Sequence, residues 1–240
     1  MLKEFKLKKD CSLASLCVKI LKAHSDVLIF MNKQKAKLII EKLDSIYFGA
    51  KPALKFSSNY ELLVAVILSA QCTDERVNKV TEILFQNYNN PQKMLELSVD
   101  ELAKIILPCG LNNSKAKHIL EASRSIVQNF NGEVPSTLES LQTLKGVGRK
   151  TANVVYSVAF NGDAIAVDTH VQRVSNRIGL AKSNNPLTTE KQLMKNIDKN
   201  MWSKSHHYLI YHGRRVCTAR NPKCESCLIK LECEYKNKKV

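Results

Sequence analysis

Four of the eight cysteines, Cys217, Cys224, Cys227 and Cys233, fall in one short stretch with the spacing C-x6-C-x2-C-x5-C. Four thiolates in a loop this small can enclose a tetrahedral zinc ion or a cubane iron–sulfur cluster. Zinc sites favour two short knuckles, and only one C-x2-C pair is present, so the spacing favours a [4Fe–4S] cluster. A secreted disulfide framework rarely crowds half its cysteines like this, so a reduced compartment is expected. Arg220 and Lys223 stand between the first two cysteines, where a rigid loop would hold them ready for phosphates. Cys72 and Cys109 read as small buried apolar residues.

A second constellation lies upstream, in SLQTLKGVGRKTANVVYSVAF. Two helical patterns flank a GVG turn. Gly146 and Gly148 can take positive φ and admit a second backbone. The turn leaves free N–H groups at a helix start, where the dipole favours an anion such as a phosphate. Lys145, Gly146, Gly148, Arg149 and Thr151 are the expected phosphate-side residues of this helix–hairpin–helix pattern, with Arg149 solvated. Lys150 sits in the first helical turn. Its position and partial burial would favour the neutral amine that a lysine nucleophile requires. Asp168 follows 18 residues later, in AVDTHVQRV, where an apolar run gives way to a helix. It is expected to cap that helix, and a capped carboxylate at a cleft can also serve as base or electrostatic stabiliser.

The elements that must position these groups are helical. Eight glycines and six prolines in 240 residues are few breakers, and strand alternation is scarce. An amphipathic helix opens at Met31, with Ile39, Ile40, Leu43, Ile46 and Tyr47 at helical spacing. NYELLVAVILSAQ reads as a buried helix. Further helices are expected near 74–88, 98–107, 113–129, 136–143, 148–160, 169–178, 188–199 and 203–213. Pro91, Pro108–Gly110, Gly132 and Pro135 punctuate them. The fold class is all-α. Residues 1–30 connect poorly to this pattern and read as an N-terminal extension, disordered or a misassigned start.

Lys and Arg total 37 against 22 Asp and Glu, a formal charge of +15. Residues 1–30 account for +3 of it, leaving +12 on the remainder. Such an excess points to a polyanionic partner. No apolar run is long enough to cross a membrane as a helix. The basic start resembles an export signal superficially, but Lys19, Lys22, His24 and Asp26 interrupt its apolar stretch. A cytoplasmic, non-membrane protein is the expectation.

LKGVGRKTANVV, AVDTHVQRV and the cysteine spacing, in this order, resemble the endonuclease III family. These are bifunctional DNA glycosylases of base excision repair. LLVAVILSAQCTD, CGLNNSKA and NGEVP extend the resemblance, which runs from about Met31 to Tyr235. It implies two all-α domains with DNA in the cleft between them. A six-helix domain would span 51–165, and a discontinuous cluster domain would combine 31–50 with 166–240. It implies Lys150 as Schiff-base lysine and Asp168 as catalytic aspartate. Cys217, Cys224, Cys227 and Cys233 would be the [4Fe–4S] ligands. Gln71 would fill the gap left by an extruded base, and Leu111 would wedge into the stack. His170 follows the aspartate as in the family, although it reads more readily as a structural histidine. The implied substrate is double-stranded DNA carrying damaged pyrimidines or abasic sites, acted on by a monomer in the bacterial cytoplasm. Mismatch-specific adenine glycosylases share the hairpin and cluster but lack a lysine at the position of Lys150. The family usually has proline where this chain has Lys145.

Overall fold

The computed structural model describes residues 32–50 and 52–237. The N-terminal extension, and with it the question of where the natural chain starts, lies outside the described residues. Every regular element among them is helical. Residues 32–47 form α1. Then follow α2 (Asn59–Leu68), α3 (Asp74–Asn87), α4 (Pro91–Met94), α5 (Val99–Ile105), α6 (Asn112–Asn129), α7 (Leu138–Thr143), α8 (Arg149–Ala159), α9 (Thr169–Ile178), α10 (Pro186–Asn196) and α11 (Trp202–Arg215). One 3-10 turn, Leu107–Cys109, joins α5 to α6, and a second, Lys199–Met201, leads into α11.

Most of these helices start where a side chain can accept from the first free N–H groups. Ser58, Thr73, Asn90, Ser98, Thr137, Asp168 and Asn185 each do so. Ser98 and Glu101 complete a reciprocal capping box. The short α4 escapes the sequence pattern because Pro91 reads as a breaker. Here it occupies the first helical position, where a missing N–H costs nothing. Two helices begin without any side-chain cap at residues that matter below: α6 after Leu111 and α8 after Gly148.

The buried side chains form two cores. One gathers residues of α2 to α8 around α2, whose residues Tyr60–Leu68 are all buried. A helix apolar on every side belongs in such a centre. It packs on α3, α6 and α8. The second core joins α1 to α9, α10, α11 and the cysteine loop. Ala36, Ile39, Ile40, Leu43 and Tyr47 supply its α1 stripe. Ile46, expected on that stripe, is 38% exposed because it falls at the edge of the apolar face. Lys42 and Lys35 reach Glu232 and Glu234, each at 2.6 Å, tying α1 to the end of the cysteine loop.

Leu43 is fully buried in the second core. Leu43→Ala is expected to cost about 2–5 kcal/mol, as core truncations do. Ile46→Ala should stay within roughly 0.5 kcal/mol, as a surface change does. Denaturant unfolding of the two variants checks the contrast.

Candidate active site and cysteine pocket

The hairpin between α7 and α8 is built around one obligatory glycine. Gly146 has φ +75°, and a Cβ there would stand 2.5 Å from the His118 Cβ. Val147 is buried and anchors the turn. Gly148 departs from expectation. Its φ of −78° is open to any residue, and nothing lies within 4 Å of the Cβ it lacks. Lys145 is exposed, and Thr151 is half-buried in the first turn of α8.

Arg149 also departs from expectation. Its guanidinium forks onto Glu190 of α10, with Nε 2.9 Å from Oε2 and Nη2 2.7 Å from Oε1. The Glu190 side chain is only 6% exposed. A carboxylate so buried requires a partner, and the planar guanidinium supplies two parallel bonds. Arg149 therefore links the two cores while its side chain stays 49% exposed.

Lys150 is exposed, not partly buried as the sequence reading supposed. It faces a cleft at the seam of the two cores. Asp168 caps α9 there, with Oδ1 accepting from the Val171 N–H at 2.7 Å. Both residues line a pocket of about 90 Å³ that opens to solvent. Val66, Ser69 and Val154 form one side of it, and His206, His207, Ile210 and Tyr211 of α11 the other. His206 is buried, with Nδ1 2.7 Å from the Ala166 carbonyl oxygen. That partner requires N–H at Nδ1, and burial holds the ring's pKa down. A neutral ring with Nε2 as acceptor follows.

Sequence reading missed an ion pair across this cleft. Arg214 of α11 meets Asp74 of α3 at 2.7 Å, and both line the pocket. No local spacing connects them, because they belong to different cores. His170 is half-buried, with Nδ1 3.2 Å from Arg173 Nη2. Arg173 also donates to the Gly213 and Cys217 carbonyls. His170 thus belongs to a brace between α9 and the end of α11, and burial lowers its pKa against the opposing pull of Asp168.

The groove continues past Lys150 and Asp168 to Gln71, Cys72 and Arg76. Gln71 is exposed with φ +53°. Leu111 is 56% exposed with φ +50°, immediately before α6. Left-handed backbone at a bulky residue costs roughly 1–2 kcal/mol, so surrounding structure must impose it. Cys109 is buried as expected, whereas Cys72 is only half-buried, at the groove wall.

Cys217, Cys224, Cys227 and Cys233 line one pocket with Ile178, His212, Val216 and Tyr235. The four thiols thus share one pocket, an all-thiolate donor set. Donors surround the sulfurs. Arg177 Nη1 lies 3.6 Å from Cys217 Sγ, His212 Nε2 lies 3.6 Å from Cys227 Sγ, and the Tyr235 N–H lies 3.5 Å from Cys233 Sγ. Burial pushes the Cys227 thiol up, and the other three cysteines push it further. Four crowded thiolates need a positive centre to offset that repulsion, and the donor set fits an iron–sulfur group. Arg220 and Lys223 are exposed on the adjoining loop.

Residues 64–199 match the family described as HhH-GPD superfamily base excision DNA repair protein. Residues 217–230 match the iron–sulfur binding domain of endonuclease III, with Cys233 three residues beyond. The endonuclease III of Haemophilus influenzae is 47% identical over 208 residues, covering 87% of this chain and 99% of that one. The chain belongs to the endonuclease III family. The Escherichia coli K12 endonuclease III is 46% identical with the same coverage. The fold matches a trapped endonuclease III–DNA covalent intermediate with a TM-score of 0.81 at 44% identity, covering 84% of this chain and 95% of that one. It also matches a thermostable thymine-DNA glycosylase with a TM-score of 0.76 at 25% identity, covering 84% and 96%. The chain is accordingly a base excision repair enzyme, a DNA glycosylase with AP lyase activity, and it carries a [4Fe–4S] cluster. DNA is its partner.

Cys224→Ser is expected to lower bound iron and acid-labile sulfide and to bleach the visible absorption of the purified protein. Wild-type iron content in that variant would contradict the assignment of Cys224 as a ligand.

Proposed function

We propose that the enzyme removes oxidised pyrimidines from duplex DNA and cleaves the strand through a Schiff base on Lys150, assisted by Asp168. The observation that carries this reading is that one cleft receives both residues, although each begins a different helix on a different core.

DNA lies along the seam between the jaws, residues 51–165 on one side and 31–50 with 166–240 on the other. The uncapped start of α8 offers N–H groups to a backbone phosphate. At Gly148, neither φ nor packing within the protein calls for glycine, but a Cβ would stand between those N–H groups and an incoming phosphate. Lys145, Gly146 and Thr151 border the same phosphate, with Arg149 holding α8 to α10. Arg220 and Lys223 contact the backbone further along. The damaged base leaves the stack at a cost of a few kcal/mol and enters the pocket between Val66 and Tyr211. Gln71 and Leu111 fill the hole, offsetting part of that cost.

The Lys150 amine bonds to the sugar C1′ as the bond to the base breaks, and the base leaves protonated. Asp168 stabilises the positive charge developing on the sugar and accepts the proton that the amine sheds. Protonation of O4′ then breaks the C1′–O4′ bond and opens the sugar, leaving an iminium between C1′ and Lys150. That iminium acidifies the C2′ proton, and its loss expels the 3′ phosphate, cleaving the strand by β-elimination. The cluster, when bound, holds the Cys217–Cys233 loop in a fixed shape. His170 braces α9 and so holds Asp168. The protein works as a monomer in the cytoplasm.

Asparagine caps helices as well as aspartate. Asp168→Asn is therefore expected to change stability by less than about 1 kcal/mol, yet to slow single-turnover excision roughly 10²–10⁴-fold. Lys150→Ala should abolish strand cleavage at an abasic site. Wild-type rates in Asp168→Asn, or strand cleavage retained in Lys150→Ala, would contradict the roles given to these residues.

A further inference from the structure

The ammonium group of Lys115 is buried inside the first core, with the residue 4% exposed. Its bonding is unusual for a buried amine. It donates to two main-chain carbonyls, Leu68 at 2.8 Å and Cys109 at 2.9 Å. Burial lowers its pKa, and the neighbouring Cys109 and Cys72 oppose that. A buried amine held by neutral oxygens costs stability unless those oxygens themselves need a donor.

Both of them do. Leu68 is the last residue of α2, and the chain turns away immediately after it. The Cys72 N–H that would continue the helix bonds instead to the Ser69 carbonyl. The Leu68 oxygen is thus one of the orphan acceptors of a helix end. Cys109 ends the 3-10 turn, and Gly110 follows at φ +68°, ψ 162°, a conformation reserved for glycine. Its oxygen is likewise released by the turn. The two carbonyls lie 47 and six residues from Lys115, and this side chain joins them beside a side-chain contact between Cys72 and Cys109.

Each carbonyl stands just ahead of a left-handed, exposed residue, and the first of these, Gln71, lines the groove. Leu68 precedes Gln71 by three positions, and Cys109 precedes Leu111 by two. We propose that Lys115 is a positioning residue that clamps the Gln71 turn to the Leu111 turn, so that both side chains enter the DNA stack as one preset wedge. The clamp supplies the outside constraint that two strained turns require. It acts before DNA arrives, which saves ordering cost at the moment of base extrusion. The inference rests on the reading of Gln71 and Leu111 as the residues that fill the hole.

The test uses the full-length, cluster-loaded protein and a duplex containing a tetrahydrofuran abasic analogue opposite 2-aminopurine. Insertion beside the orphan base unstacks it and raises its fluorescence. Lys115→Met keeps the apolar stem and removes the donors. It is expected to lose most of the fluorescence rise and to bind this duplex about tenfold more weakly, while binding undamaged duplex as the wild type does. Lys115→Gln keeps one amide donor and should retain part of the rise. Visible absorption and cooperative melting report whether each variant is folded. A full rise in folded Lys115→Met overturns the proposal, and so does equal weakening on undamaged duplex. Should Lys115→Met fail to fold, an unchanged rise in Lys115→Gln overturns it. Gln71→Ala and Leu111→Ala in the same assay separate the two readings. If both leave the rise intact, the wedge reading itself fails. If they abolish it and Lys115→Met does not, only the clamp fails.

Discussion

Two helix starts aimed into one cleft are the constraint on which the rest of this molecule depends. α8 opens with Gly148 and presents Lys150 in its first turn, and α9 opens with Asp168 as its cap. Neither helix can be moved independently. α8 packs on α2 and α7, while α9 packs on α10 and α11. The two hydrophobic cores therefore act as mounts for two polar groups. The ion pairs Arg149–Glu190 and Arg214–Asp74 then fix one mount against the other. Breaking the buried half of such a pair is far costlier than the median surface salt bridge.

The same geometry explains how charge is divided. Many of the basic residues are committed to carboxylates that hold the fold, as Lys35, Lys42, Arg149 and Arg214 are. Lys145 at the hairpin and Arg220 and Lys223 on the cysteine loop remain exposed. In the proposed reading a polyanion is met by residues spread over both mounts, with Lys150 between them. Phosphate contacts of this kind position a duplex without reading its sequence, which suits an enzyme that must inspect any stretch of DNA.

The sequence is most legible where the physics is local. Asp168 announces the start of α9 because it satisfies an N–H group three residues on. The cysteine spacing is equally local, since one loop supplies all four thiols. The buried character of α2 follows from its unbroken apolar run. Legibility ends where partners come from afar. Nothing near Arg149 announces Glu190, and nothing near Asp74 announces Arg214. Lys115 reads as an ordinary helical lysine until the ends of α2 and the 3-10 turn are brought together around it. The exposure of Lys150 and the relaxed φ of Gly148 differ from expectation for a related reason: the start of α8 faces an open cleft, and nothing lies within 4 Å of a Cβ at Gly148.

The central claim is that one exposed amine at the start of α8 carries the covalent chemistry. Borohydride reduction of the enzyme on an abasic-site duplex, followed by proteolysis and mass mapping of the cross-linked peptide, tests it directly. One modified residue is expected, Lys150, in the peptide that follows Arg149. A sugar remnant on Lys145, on Lys115 or on the chain's amino terminus would contradict it.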